Sequence, residues 1–249
     1  MFRYKGRGRT FTHNLSIAIL LSFVAGIVNV AGYLSVHQLT TNITGHFAFL
    51  IEEVNQSNFT KAIFLFLYIL SFLFGSFTSN FLVELNLKRN SNYVYLLPIA
   101  IECFILFGSA IFGQYIIEKF PNLLAFLLLF AMGLQNALVT VISKSIVRTT
   151  HLTGLFTDLG IELSQLFFYK ESSQQIRLLK SIRLRMAIIS SFFIGGIVGG
   201  LAYSQIQLYT LIIAGIVLLF GVVINYLKYR YLKLKRRYHS KKIPSNNDN

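Results

Sequence analysis

The residues in this chain best suited to hold a ligand fall in two stretches. Thr40–Gln56 reads TTNITGHFAFLIEEVNQ and Thr149–Gln165 reads TTHLTGLFTDLGIELSQ. At a constant offset of 109 residues they share eight identities in seventeen positions: Thr40, Thr41, Thr44, Gly45, Phe47, Leu50, Glu53 and Gln56 match Thr149, Thr150, Thr153, Gly154, Phe156, Leu159, Glu162 and Gln165. Chance gives about one identity, so the two stretches are an internal repeat. Threonine at a helix start caps free N–H groups, and those groups carry partial positive charge that attracts anionic or electronegative solutes. Thr41 and Thr44 are three apart, as are Thr150 and Thr153, so each pair shares a helix face. Gly45 and Gly154 allow a backbone or a solute to come close. Arg148 adds a cation ahead of the second copy; the first has Leu39 there. The same residues also suit a plainer role, in which Thr-Gly caps a short helix and packs it tightly.

The repeat extends beyond these stretches. A Gly-x-x-Asn precedes each copy, Gly26 to Asn29 and Gly133 to Asn136, and a Ser-Phe-x-x-Gly follows each, Ser71 to Gly75 and Ser191 to Gly195. Asn29 and Asn136, with Gln135, place amides inside apolar runs. Such an amide lines a solute path or joins helices by hydrogen bonds worth about 0.6–2 kcal/mol. Gly195, Gly196, Gly199 and Gly200, and likewise Ser71, Gly75 and Ser79, form small-residue surfaces for close helix packing. Glu102 lies in an apolar run, where an acid costs about 2.5–3.5 kcal/mol, so it is a candidate for proton transfer or coupling. Asp158 and Glu162 are four apart on the second short segment, spaced either for a relay or for pairing with nearby cations. His46 and His151 occupy non-equivalent repeat positions and are expected as capping or loop histidines. One cysteine, Cys103, excludes an intrachain disulfide, and no zinc spacing is present. No metal or cofactor is expected. HExxH, P-loop and GxSxG patterns are absent, so no catalytic residue is assigned and an enzyme is not expected.

The elements that must position these residues are apolar helices. Hydrophobic residues make up 54% of the chain, and the mean hydropathy is +0.60. Charged residues are 13%, about half the share usual in soluble domains. The apolar residues come in long runs, which indicates an integral membrane protein. Spans are expected at about 15–36, 61–82, 93–115 (with Pro98 in its first two turns), 121–142, 184–204 and 208–227. The first is too long for a signal peptide's apolar region and lacks a convincing cleavage site, so it reads as an uncleaved span. The polar stretch 170–182 leads to the fifth span. About twelve apolar residues follow Thr41, roughly 18 Å of helix against a bilayer core of about 30 Å, so each Thr-Gly segment is too short to span.

Basic residues decide the orientation. With six spans, the inner side receives Arg3, Lys5, Arg7 and Arg9, then Lys88 and Arg89, seven cations between Lys144 and Arg185, and eight between Lys228 and Lys242. Lys61 and Lys119 alone remain outside. The expected fold is therefore all-α integral membrane, with six transmembrane helices plus two short intramembrane or re-entrant helices. It divides into a basic cytoplasmic N-terminus (1–13), a first repeat (14–115, with short helix 40–56), a second repeat (121–227, with short helix 149–165) and a basic cytoplasmic tail (228–249). Three spans per repeat is odd, so the halves enter the membrane in opposite senses. Short segments at matching positions of inverted repeats point to a transport site. Here they are expected to meet near the midplane. The expected location is the inner or plasma membrane, with both termini cytoplasmic.

The run GIVNVAGYLSVHQLTTNITGH, with MGLQNALVT and RTTHLTGLFTDLG, resembles the YoaK-like family of bacterial inner-membrane proteins, which carries a domain of unknown function. The resemblance covers nearly the whole chain and implies a polytopic membrane protein. It implies no substrate or activity. This chain departs from it at Asn29, where the resemblance leads one to expect an acid.

Three function classes follow. The first is a carrier or channel for a small polar or anionic solute, with a site lined by Asn29, Thr41, Thr44, Gly45, Asn136, Thr150, Thr153, Gly154 and Arg148, and with Glu102 or Asp158 in coupling. The second is a structural or assembly protein without transport, and the third a membrane enzyme. The expected partners are the lipid bilayer, with anionic lipid at the basic tail, the solute and a second copy of the chain; nucleic acid is not expected.

Overall fold

The computed structural model describes residues 11–89, 94–143 and 145–224, and every element in them is helical. The order is α1 (Phe11–Val36), α2 (Ile43–Asn55), α3 (Phe59–Lys88), α4 (Leu96–Lys119), α5 (Pro121–Ser143), α6 (Leu152–Phe168) and α7 (Ser172–Ile206). A three-residue 3-10 turn, Gln207–Tyr209, leads into α8, residues 210–224. Five helical stretches are long and apolar enough to cross a membrane; the last, Ser172–Ile224, contains both α7 and α8. Gln207 takes a positive φ of 48°, and this breaks the long stretch into a hairpin. The basic N-terminus and the basic tail lie outside the described residues.

The expected starts hold closely for α1, α3, α4 and α5. Pro98 falls in the first turn of α4, where the missing N–H would lack an intrahelical partner in any case. The stretch 170–182 differs: it is helical from Ser172, so α7 has 35 residues. Leu178 and Leu184 are buried, Leu178 near Glu162 of α6 and Leu184 in the main core, and Gln, Arg, Leu and Lys are good helix formers. Burial of a few apolar residues thus overrides the polar composition.

Two close crossings build the bundle, and they match. A methyl added at Gly26 of α1 would collide with the Phe192 carbonyl of α7, and one at Gly195 of α7 with the Phe23 carbonyl of α1. Between α5 and α3 the same exchange occurs: Gly133 lies against the Phe72 carbonyl and Gly75 against the Phe130 carbonyl. In all four cases the carbonyl belongs to the residue three before the partner glycine. Only glycine permits this backbone approach, and close approach is how small-residue helix surfaces gain dispersion energy. The small residues marked out in the sequence are therefore filled within the chain itself.

Contacts also give the helix directions. Gln135 of α5 reaches Leu21 of α1, while Leu128 of α5 lies beside Gly32 of α1. As α1 ascends, α5 descends, so the two equivalent helices are antiparallel and packed together. Along α7, Gly195 meets Phe23 and Gly199 meets Ile27, so α7 runs parallel to α1. On α8, Leu208 meets Gly113 of α4, Gly215 meets Phe107 of α4 and Gly221 meets Leu20 of α1. The core lies where α1, α5, α4 and α8 meet, around Leu21, Leu106, Leu128, Met132 and Leu211. Large apolar side chains such as Phe74, Phe104, Phe193 and Leu201 face outward, as lipid contact requires.

Candidate functional site

The chain leaves α1 through His37 and α5 through Ser145, both at positive φ. Each exit leads into a Thr-Thr pair and then a short helix. Thr40 and Thr149 are fully buried and fix the depth of each pair. The next threonine turns back to the asparagine of the helix just left. The Thr41 backbone N–H and hydroxyl both donate to Asn29 Oδ1, at 3.2 and 2.9 Å. In the second half the Thr150 hydroxyl donates to Asn136 Oδ1 at 2.8 Å and that of Thr149 at 3.4 Å. Asn136 Nδ2 donates in turn to the Met132 carbonyl at 3.0 Å. The two halves thus share an asparagine–threonine node at the root of each short helix.

Past the node the first short helix starts on Asn42, whose Oδ1 accepts from the Gly45 N–H at 3.0 Å. His151 starts the second without a side-chain cap. Thr44, Thr153, Gly154 and Arg148 are exposed and turned away from the asparagines. Asn29 and Thr41 come together, and so do Asn136, Thr149 and Thr150; the two groups do not. Because α1 and α5 are antiparallel, α2 and α6 lie at opposite ends of the bundle. Helix α2 packs on α3 and α6 on α7, with little contact between them. The expected meeting of the two Thr-Gly starts near the midplane is therefore corrected: apolar packing of α1 on α5 fills that space, with Val28, Ala31, Leu128 and Met132 fully buried.

Other candidates sort by burial. His46 is not a loop or capping residue: it is buried on α2, with Nε2 at 2.8 Å from the Leu39 carbonyl and its ring against Tyr68. The Tyr68 hydroxyl donates to Asn122 Oδ1 at the start of α5. A signal for His46 was available in its place three residues into an apolar helix, beside Phe and Ala. Gln135 is fully buried and donates to the Leu21 carbonyl at 3.0 Å, which makes it a link between α1 and α5. Asp158 is exposed and sits 3.4 Å from Arg185, whose guanidinium makes two 2.9 Å bonds to Glu162. The Ser181 hydroxyl donates to the same carboxylate at 2.6 Å. This pair of acids is an ion-pair face between α6 and α7. Glu102 is 0% exposed inside the bundle, and among the described residues neither of its oxygens has a hydrogen-bond partner. Ser22, Ser79 and Gln135 Oε1 are likewise buried and unpartnered, so the interior carries unmet polar demand. No group of three or more His, Cys, Asp or Glu among the described residues could hold a metal.

A family model described as a protein of unknown function, DUF1275, matches residues 17–224. That range runs from α1 through α8 and includes both nodes and both crossings. The chain belongs to the DUF1275 family. It is 28% identical over 207 residues to the UPF0700 transmembrane protein YoaK of Bacillus subtilis (strain 168), covering 83% of this chain and 91% of that protein. No solved structure matches. This DUF1275 protein is thus a multi-pass membrane protein of an uncharacterised family, as its resemblance to YoaK-like proteins implied.

Proposed function

We propose that this DUF1275 protein is a carrier or channel for a small polar or anionic solute, with α2 and α6 as gates at opposite faces of the membrane. The observation that carries the reading is the duplicated asparagine–threonine node, placed once at each end of the bundle. In this reading the six apolar helices span the plasma membrane with both termini in the cytoplasm. The halves are inverted repeats and the short helices are re-entrant. A solute entering one face displaces Thr41 from Asn29, and one at the other face displaces Thr149 and Thr150 from Asn136. Gly45, Gly154 and Arg148 border these entrances. Glu102 serves coupling because, among the described residues, its carboxyl is fully buried with both oxygens unpartnered; Asp158, already paired, is the weaker candidate.

Uptake into liposomes, over a panel of small polar and anionic solutes chosen by thermal shift, tests the reading. Asn29→Ala and Asn136→Ala are expected to reduce uptake at least tenfold while the protein still inserts. Glu102→Gln is expected to remove the pH dependence of uptake; unchanged dependence makes Glu102 a structural acid. Cysteines placed at Lys61 and Lys88, in a Cys103→Ser background, are expected to react from opposite sides, and labelling from one side sinks the six-span layout.

One observation favours a second reading, a structural protein without transport. Each asparagine Oδ1 is already filled by its own threonine, so the nodes are complete as helix ties. Thr41→Val and Thr150→Val separate the two. Loss of thermal stability alone, with every solute that shifts melting left untransported, supports the structural reading.

A further inference from the structure

We propose that the elbow between α6 and α7 binds the headgroup of an anionic phospholipid in the adjoining leaflet. This inference needs only the membrane character of the chain and does not depend on transport. Helix α7 presents Ile176, Leu179, Lys180 and Arg183 outward, at the i, i+3, i+4, i+7 spacing of one helix face, and all four are exposed. The outward stripe continues through Met186 to Leu201. From Ile176 to Leu201 the rise is about 38 Å, more than the roughly 30 Å of hydrocarbon. The first two turns therefore lie at headgroup depth. Cations alternating with apolar residues suit neither bulk water nor hydrocarbon, but they suit that boundary, where long side chains lay their stems in lipid and their charges among phosphates. Phe167 and Phe168, at the end of α6, are each 77% exposed beside this stripe.

Behind the stripe lies a shallow cleft of ≈ 370 Å³, lined by Glu162, Tyr169, Gln174, Arg177, Leu178 and Ser181. Glu162 is spoken for by Arg185 and Ser181, so it does not neutralise the guanidinium of Arg177, whose Nε donates within the helix to the Ser173 carbonyl at 3.4 Å. Among the described residues, Lys170, Arg177, Lys180 and Arg183 form no ion pair with a carboxylate. The equivalent elbow between α2 and α3 provides an internal contrast. Its one cation, Lys61, is already paired with Glu53 at 3.7 Å. Exposed Phe59 and Ile63 flank Lys61 there too, but at the second elbow several cations without a carboxylate partner lie beside apolar surface, and an anionic lipid presents both an anion and acyl chains in the same molecule.

The chain contains no tryptophan, so Leu179→Trp supplies a single reporter on the outward stripe. The protein is reconstituted in phosphatidylcholine vesicles with rising fractions of brominated phosphatidylglycerol, or of brominated phosphatidylcholine as control. Quenching is expected to saturate at a lower fraction of the brominated anionic lipid. Adding Arg177→Gln, Lys180→Gln and Arg183→Gln is expected to abolish the preference, at about fivefold for each cation removed. The basic tail is unchanged in these variants and contributes equally. Lys180→Gln alone, at an exposed position, repeats the test at about fivefold should the combined variant fail to insert. Equal quenching by the two lipids, no quenching by either, or a preference that survives removal of the cations overturns the proposal. So does loss of the preference in millimolar inorganic phosphate, which assigns the elbow to a soluble anion instead.

Discussion

The two short helices share a root and differ in what secures their bodies. On α2 the position of His46 turns inward, and the imidazole is held by the Leu39 carbonyl and the Tyr68 ring. The equivalent position on α6 is Leu155, buried without polar contact. On α6 the hold is ionic, through Arg185 with Glu162 and Asp158. The matching acid on α2, Glu53, reaches only Lys61, whose side chain is 73% exposed. The root at the asparagine is thus the duplicated part, and the latch is where the halves have diverged. The Arg185–Glu162 pair is mostly buried, with side-chain exposures of 20% and 11%, so salt screens it little, whereas the exposed Lys61–Glu53 pair weakens as salt rises. Rising salt is expected to release Lys61 from Glu53 before it loosens α6.

The sharpest way to break this comparison is at the crossings. Gly26→Ala and Gly133→Ala force a methyl onto a backbone carbonyl, and each is expected to cost about 3 kcal/mol or more. The two losses should be alike in thermal unfolding; a large difference would show that the crossings are not equivalent. Next comes the ionic latch. Arg185→Met leaves the buried Glu162 carboxylate with the Ser181 hydroxyl but no cation and is expected to cost about 2 kcal/mol. Lys61→Met, in the other half, is expected to cost under about 0.5 kcal/mol. Equal effects would remove the asymmetry of the latches. The nodes should again agree: a double-mutant cycle between Asn29→Ala and Thr41→Val, and one between Asn136→Ala and Thr150→Val, should each give a coupling of about 1 kcal/mol. An effect of opposite sign is expected at Gly154, beside which an added methyl meets nothing within 4 Å. Gly154→Ala should raise stability by about 0.5–1 kcal/mol through helix propensity.

The helices and the repeat were legible because apolar runs and identities at a fixed offset are local signals. The pairing of Asn29 with Thr41 was partly legible, since both recur at matching positions, but contact across the turn at His37 depends on a backbone conformation that residue types do not specify. The helix from Ser172 is not legible because its composition is polar, and the burial of Leu178 and Leu184 depends on the tertiary packing of α7. The midplane meeting of the short segments was expected from repeat parity alone. Parity gives opposite directions of entry and says nothing of depth, which the packing of Leu128 and Val28 sets. Glu162 was legible as a repeat identity; its bond to Arg185 spans 23 residues and needed the three-dimensional course of α7.

The reciprocal glycine crossings also set a schedule for biogenesis. The tightest partner of α1 is α7, and Gly26 waits for Gly195, made some 170 residues later. During that interval the glycine surface of α1 is open to lipid or to other membrane helices, while α3 and α5 close on each other much earlier. The first half therefore does not fold as a unit ahead of the second, despite the duplication that suggests two modules. Assembly is limited by a long-range closure, and a chain truncated before α7 would leave α1 with α5 to dock against but without its closest partner.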